Sequence, residues 1–258
     1  MKMTGFARRL QADLRARADE ETRVESERYF KGVTQFIGVK RPGVNAVIKS
    51  HLLDIKRLDP VQGTREALSL LASPYMEMRQ VGIDILHRLR TRLADDVIDD
   101  LAVAFDTHVS DWSTCDAMAS RVLLEFLHRA KTKKKLLAWS RAKNPWRQRA
   151  VAVTLMREAR RGEITDDVIA VCARIVKNPH RFVQLGAGWA LRELSLADRP
   201  LVVAFIEKHA PFICREGLRY ATEKMPAAVR LRVHDRHAQA TRKSRRVGVG
   251  QPAVTVTA

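Results

Sequence analysis

The chain has 258 residues, room for one large domain or two small ones, and its 46% hydrophobic and 29% charged content is that of a globular protein with a substantial core. Lysine and arginine number 47 against 29 aspartate and glutamate, a net charge of +18 distributed along the whole chain. That excess argues for a polyanionic partner, nucleic acid ahead of a ribosome-like or membrane-surface role. The three scattered cysteines, without a Cys-x-x-Cys, argue against a disulfide framework or a thiolate zinc site.

From the N-terminus, Arg8, Arg9, Asp13, Arg15, Arg17, Asp19, Glu20 and Glu21 alternate in sign without an apolar signal core, which reads as a solvated helix. No apolar run reaches the length of a membrane span, and the cysteine pattern fits a reducing cytoplasm. Helical periodicity then continues to about residue 240. Proline and glycine fall mostly at joints: Arg41-Pro42-Gly43, Asp59-Pro60, Ser73-Pro74, Asn144-Pro145, Asn178-Pro179, Arg199-Pro200 and Ala210-Pro211. The segment Asp166 to Val176 shows the pattern, an acidic first turn followed by an apolar stripe that stops before Asn178-Pro179. An all-α chain follows.

The joints recur. Helices opening near Pro74, Ser110, Asn144, Asn178 and Ala210 are spaced by roughly 32–36 residues, the period of a two-helix repeat. Shorter helices, Ala94 to Phe105, Thr132 to Ser140 and Ile164 to Val176, fall between them. The expectation is a curved α-solenoid with a concave basic groove, the alternative being a non-repetitive bundle. Three segments, Glu77 to Gly82, Trp146 to Val151 and Arg181 to Gly186, each carry arginine early in a helix. Side by side on a concave face, Arg79, Arg149 and Arg181 would form a stripe for a duplex backbone, although a solvated face is the simpler reading of any one of them. One domain is expected over 1–240, and a basic, disordered tail over 241–258.

Familiar catalytic kits are absent: no P-loop, no dinucleotide glycine fingerprint, no His-Glu-x-x-His. His234 and His237 stand three apart, weak grounds for a metal, and the cysteines read as small buried hydrophobes. What remains is aromatic, acid and arginine. In Ser110-Asp111-Trp112-Ser113-Thr114-Cys115-Asp116, Trp112 and Asp116 are four apart and share a helix face, a ring beside a carboxylate suited to holding positive charge. Trp139 and Trp146 read as structural. Trp189 lies among Gly186, Ala187, Gly188 and Ala190, which would leave space around its ring.

These residues resemble the AlkD-like DNA alkylation repair glycosylases, built from HEAT-like helical repeats, over about residues 25–225. The resemblance rests on Tyr29-Phe30-Lys31, on Phe36-Ile37-Gly38-Val39-Lys40-Arg41-Pro42, on Trp112 with Asp116, on Trp146 with Arg149, and on Gly188-Trp189-Ala190-Leu191-Arg192-Glu193. Ser113 stands where the family often has an acid, with Asp111 preceding instead. The resemblance implies a monofunctional glycosylase acting on N3- or N7-alkylpurines such as 3-methyladenine and 7-methylguanine in duplex DNA. Asp116, Trp112 and Trp189 would be its catalytic residues, Tyr29 the aromatic beside the lesion strand, and Arg149 a phosphate contact. No metal or organic cofactor is expected, and the protein is expected to be a monomer at the nucleoid. The competing function is a non-catalytic HEAT-repeat module that binds damaged or branched DNA or a protein partner.

Overall fold

A computed structural model describes residues 4–246, and helices make up nearly all of it. The only β pairing among the described residues is an isolated parallel bridge between Gln35 and Tyr75. The helical region expected as one domain divides into two compact units, one through Thr132 and one from Lys133 onward. The first holds α1 (Gly5–Arg15), α2 (Glu20–Tyr29), α3 (Arg41–Ser50), α4 (Leu52–Arg57), α5 (Pro60–Leu71), α6 (Met76–Leu89), α7 (Val97–His108), α8 (Trp112–Met118) and α9 (Leu124–Leu127). Helix α10 (Ala130–Ala138) carries the chain into the second. There follow α11 (Pro145–Arg161), α12 (Thr165–Ile175), α13 (Arg181–Ala197), α14 (Arg199–His209), α15 (Arg215–Thr222) and α16 (Ala227–Arg246).

The repeat read from the sequence is present in the helix order, with α6, α8, α11, α13 and α15 opening close to the five expected joints. At two of the joints a side chain caps the helix start. Asp59 accepts from the amides of Val61 and Gln62 with Pro60 behind it, and Asn144 from Trp146 and Arg147 with Pro145 behind it. Proline there sacrifices an amide that a helix start leaves unbonded anyway. In the first unit α5 packs on α6, and Leu70 and Leu71 of the one and Val81, Ile85 and Leu86 of the other are all buried. In the second, α11, α13 and α15 lie in succession, with α12 and α14 packed against α13. Helix α16 runs through Arg246, past the expected end of the helical region. The remainder of the expected tail, 247–258, lies outside the described residues.

A latch recurs at the fourth residue of three helices. In α6, Arg79 Nε donates to the Ser73 carbonyl six residues back at 2.7 Å. In α11, Gln148 Nε2 donates to the Ala142 carbonyl, six back, at 2.7 Å. In α13, Gln184 Nε2 donates to the Asn178 carbonyl, again six back, at 2.9 Å. The same three side chains also reach forward, to the start of the next of the five helices. Arg79 Nη1 pairs with Asp111, the N-cap of α8, at 3.0 Å. Gln148 Oε1 accepts from Asn178 Nδ2 at 2.9 Å, and Gln184 Oε1 from the amide of Cys214, the N-cap of α15, at 3.0 Å.

Candidate active site

Helix α8 starts at Trp112 because Asp111 caps it. One Asp111 oxygen accepts from the Thr114 amide at 2.7 Å and the other from the Thr114 hydroxyl at 2.8 Å, while the Arg79 guanidinium pairs with that second oxygen. Asp111 is 2% exposed, so this carboxylate is a buried anion whose compensation comes from these donors. Trp112 and Asp116 fall one turn apart on α8, both half-buried, as their spacing predicts. The Asp116 carbonyl accepts from the Ser120 hydroxyl at 2.7 Å, and the helix then widens into a π segment over Ala119–Leu123. Nothing in the periodicity signals that widening.

The Trp112 ring is fixed from the side by aromatics at the end of α2. Phe30 stacks on it, with centroids 5.4 Å apart and planes 4° apart, and Tyr29 meets it edge-on at 6.3 Å. Phe36 backs Phe30 at 5.2 Å. One face of Trp112 is therefore taken by Phe30. Tyr29 is 71% exposed, the most prominent aromatic surface of the group.

The motif around Gly38 explains how Phe36 is held. The Glu77 carboxylate, 2% exposed, accepts from the amides of Ile37, Gly38 and Val39 at 2.9–3.0 Å. Gly38 has φ +98°, and a Cβ there would sit 2.4 Å from the Asp19 carbonyl oxygen, so only glycine fits. The bridge of Gln35 to Pro74 and Met76 fastens the same loop to the start of α6. Phe30, Phe36 and Glu77 were not singled out from the sequence as site residues. The aromatic pair was visible as part of a motif, but no local spacing reveals that Glu77 grips a loop some forty residues earlier.

The second unit carries the other expected residues. Trp189 is half-buried on α13, with the Arg192 guanidinium 5.6 Å from its ring centroid. Arg192 in turn pairs with Glu193 and Glu223, each at 2.7 Å. The glycine beside Trp189 also has a packing role. A Cβ on Gly188 would lie 2.5 Å from the Gly217 carbonyl oxygen, so the residue lets α13 and α15 approach closely. Trp139 is buried, at 2% exposure, and Trp146 packs with His180 and Phe182 at 5.7 and 5.3 Å. Burial, and after it the charge of Arg149, holds His180 below the ordinary histidine value.

The expected arginine stripe needs correction. Arg79 is buried, its two donor arms committed to Ser73 and Asp111, so it is an internal brace and not a phosphate contact. Arg149 is 5% exposed and donates to the Phe182 carbonyl at 2.8 Å. Arg181 is part-exposed and bound through two nitrogens by Glu216, at 2.7 and 2.8 Å. The hydrogen bond to Arg181, working against partial burial, holds the Glu216 carboxyl below its usual range. The equivalent positions of the repeats are Arg79, Gln148 and Gln184, one residue away from the alignment on Arg149 that the arginines suggest.

His234 and His237 are spent inside the second unit. His234 Nε2 meets the Thr222 hydroxyl and His237 Nε2 the Ile213 carbonyl, both at 2.9 Å. Among the described residues, no cluster of histidine, cysteine and acid has the makings of a metal site, and no helix is long and apolar enough to cross a membrane.

Comparison with known proteins gives these features a family. The family model described as DNA alkylation repair enzyme matches residues 10–225. A solved structure described as a predicted DNA alkylation repair enzyme from Enterococcus faecalis is similar, with a TM-score of 0.71 and 16% identity, covering 82% of this chain and 98% of that one. At that identity the likeness is one of fold. No curated protein matches. The span of the family match, more than three quarters of the chain, takes in both the α8 site and the helix of Trp189: the chain belongs to the DNA alkylation repair enzyme family.

Proposed function

We propose that the protein is a DNA glycosylase that hydrolyses the N-glycosidic bond of cationic N3- or N7-alkylpurines in duplex DNA, with Asp116 as the catalytic carboxylate. The observation that carries this reading is the pairing of Asp116 with Trp112 on one face of α8, the ring held by Phe30 stacking and flanked by exposed Tyr29.

An alkylated purine already bears positive charge, so it departs with the bonding electrons of C1′–N and becomes neutral. Positive charge passes to the sugar as an oxocarbenium-like species, and water adds to C1′ with loss of a proton. The reaction therefore asks little of a general acid. It asks for fixed negative charge near the sugar, which a carboxylate in a water-poor site supplies for several kcal/mol. The indole face of Trp112 opposite Phe30 adds on the order of 0.5–2 kcal/mol toward the same cation. Trp189 is assigned the matching aromatic role on the second unit, through the ring face away from Arg192. Tyr29 is assigned to the backbone of the lesion strand. Arg181 is assigned to a phosphate, a contact that competes with Glu216; Arg149, 5% exposed and bonded to the Phe182 carbonyl, is assigned to a phosphate only if its guanidinium turns outward from that carbonyl on binding. The net charge of +18 supplies the sequence-independent attraction that brings duplex DNA to the protein.

Release of 7-methylguanine and 3-methyladenine from methylated duplex DNA tests the reading. Asp116→Asn is expected to slow single-turnover release by at least about a hundredfold, in line with removal of one preorganised electrostatic group, with DNA affinity little changed. Release by Asp116→Asn at the wild-type rate would remove Asp116 from the chemistry. A wild-type protein that binds DNA tightly and releases no base would favour the non-catalytic binding module.

A further inference from the structure

We infer that Arg79 is a positioning residue of the α8 site, and that its ionic latch to Asp111 fixes where Trp112 and Asp116 stand; the inference rests on the glycosylase reading above. Arg79 is itself buried. Its Nε holds the Ser73 carbonyl at the end of the α5–α6 joint, and its Nη1 holds Asp111, the residue whose side chain starts α8. Trp112 is the next residue in the chain. A displacement of the Asp111 carboxylate therefore passes directly into the first turn of α8, because one peptide bond joins the latch residue to Trp112.

The other two latches show that the fold does not require charge at this point. Gln148 and Gln184 do the same mechanical task, back to a carbonyl six residues earlier and forward to the next helix start, with neutral amides. An amide has a shorter reach, and its bonds are weaker than those of a guanidinium to a carboxylate. The single ionic latch among the three stands at the helix that begins with Trp112. A buried ion pair is an expensive way to gain stability but an effective way to fix geometry, because each partner is strongly penalised for leaving the other. Misplacement of a reacting group by about 1 Å can cost about a hundredfold in rate. Tight registration of α8 is what the chemistry on α8 demands.

The test converts the ionic latch into the neutral kind already present elsewhere, in the double variant Arg79→Gln/Asp111→Asn. Asparagine remains a good N-cap, and no buried charge is left unpaired. The readouts are the thermal midpoint, affinity for duplex DNA, single-turnover release of 7-methylguanine, and the indole resonance of Trp112 in protein carrying fluorotryptophan, assigned through Trp112→Phe. We expect a midpoint near that of wild type, affinity within about twofold, a moved or broadened Trp112 resonance, and release slowed by about tenfold or more. Wild-type release together with an unmoved Trp112 resonance would overturn the inference. If the double variant does not fold, Arg79→Lys serves instead. It keeps Asp111 paired but cannot span both acceptors as a guanidinium does, and the same resonance and rate decide. If wild-type protein releases no base, the glycosylase reading fails, while the Trp112 resonance still decides whether the latch positions α8.

Discussion

The first unit ties α6 to α8 with an arginine and a buried carboxylate, while the second ties α13 to α15 with one glutamine that serves as donor and acceptor. Both latches use the fourth residue of a helix, and both close a loop carbonyl six residues back. They differ in what their loss leaves behind. Without Arg79, Asp111 is a carboxylate 2% exposed without its cation. Without Gln184, the losses are a neutral amide proton at Cys214 and carbonyls at Val176, Asn178 and Phe212. Repeat architecture sets the position of a latch, whereas the chemistry placed there is local and follows what the next helix has to do.

The largest effect expected from this difference is on stability. Arg79→Met should cost about 3–5 kcal/mol of local opening free energy, the usual penalty for breaking a buried ion pair from one side. Gln184→Met should cost about 1–3 kcal/mol, as for neutral groups left unbonded. Hydrogen exchange of the amides in α8 and α15, followed in urea, measures the two openings separately. Equal costs would mean that the ionic latch is no stiffer than the neutral one, and would remove its mechanical advantage. Restoring neutrality with Asp111→Asn in the Arg79→Met background should recover much of the loss.

The latches also show what was legible in the amino-acid order. Helix openings were legible where capping chemistry lies in adjacent residues, as with Asp59-Pro60 at α5, Asp111 at α8 and Asn144-Pro145 at α11. The α8 pair was legible too, since Trp112 and Asp116 need only the helical period to share a face. The role of Arg79 was not. Its partner Asp111 lies 32 residues away, and arginine at a helix start reads equally as a surface cation. Alignment by residue type matched Arg79 with Arg149, whereas alignment by position matches it with Gln148. The packing role of Gly188 was hidden for a related reason. A small residue beside a tryptophan suggests room for the ring, and nothing local shows that the carbonyl of Gly217 lies 2.5 Å from where its Cβ would be.

Acid should separate the units further. In the second unit, burial holds His180, His209, His234 and His237 below the ordinary histidine value, aided by neighbouring positive charge for the first three. In the first, burial and the charge of Arg79 do so for His108. A histidine depressed in the folded state takes up its proton more readily when unfolded. Its contribution is thus intact above about pH 6.5 and is lost as pH falls through that value toward the folded one. Asp84 behaves differently. Burial alone would raise it, but its bonds to Arg88 and Arg121 hold it below the usual carboxylate range, so its contribution persists until pH falls below about 4. Between about pH 6.5 and 5 the second unit should therefore lose more protection than the first, read as hydrogen exchange in α13–α16 against α5–α8. Parallel losses would show that the histidines of the second unit become exposed before they titrate.

The smallest effect concerns the part-exposed pair of Arg181 and Glu216. Such pairs contribute about 0–1 kcal/mol, so Glu216→Gln should leave stability nearly unchanged. Its effect on DNA binding has a definite sign. Glu216 now occupies two donors of Arg181, and a phosphate that uses them has to displace a carboxylate of like charge. If Arg181 meets the DNA backbone, Glu216→Gln should tighten duplex binding by about two- to fivefold at low salt, and should steepen the dependence of log K on log salt by up to about one ion. Arg181→Ala should then weaken binding more in the Glu216→Gln background than in wild type, because only there is the guanidinium fully available. A salt slope identical in all four proteins would assign Arg181 to the α13–α15 contact alone. The phosphate contacts would then have to come from cations other than the arginines that open the repeats.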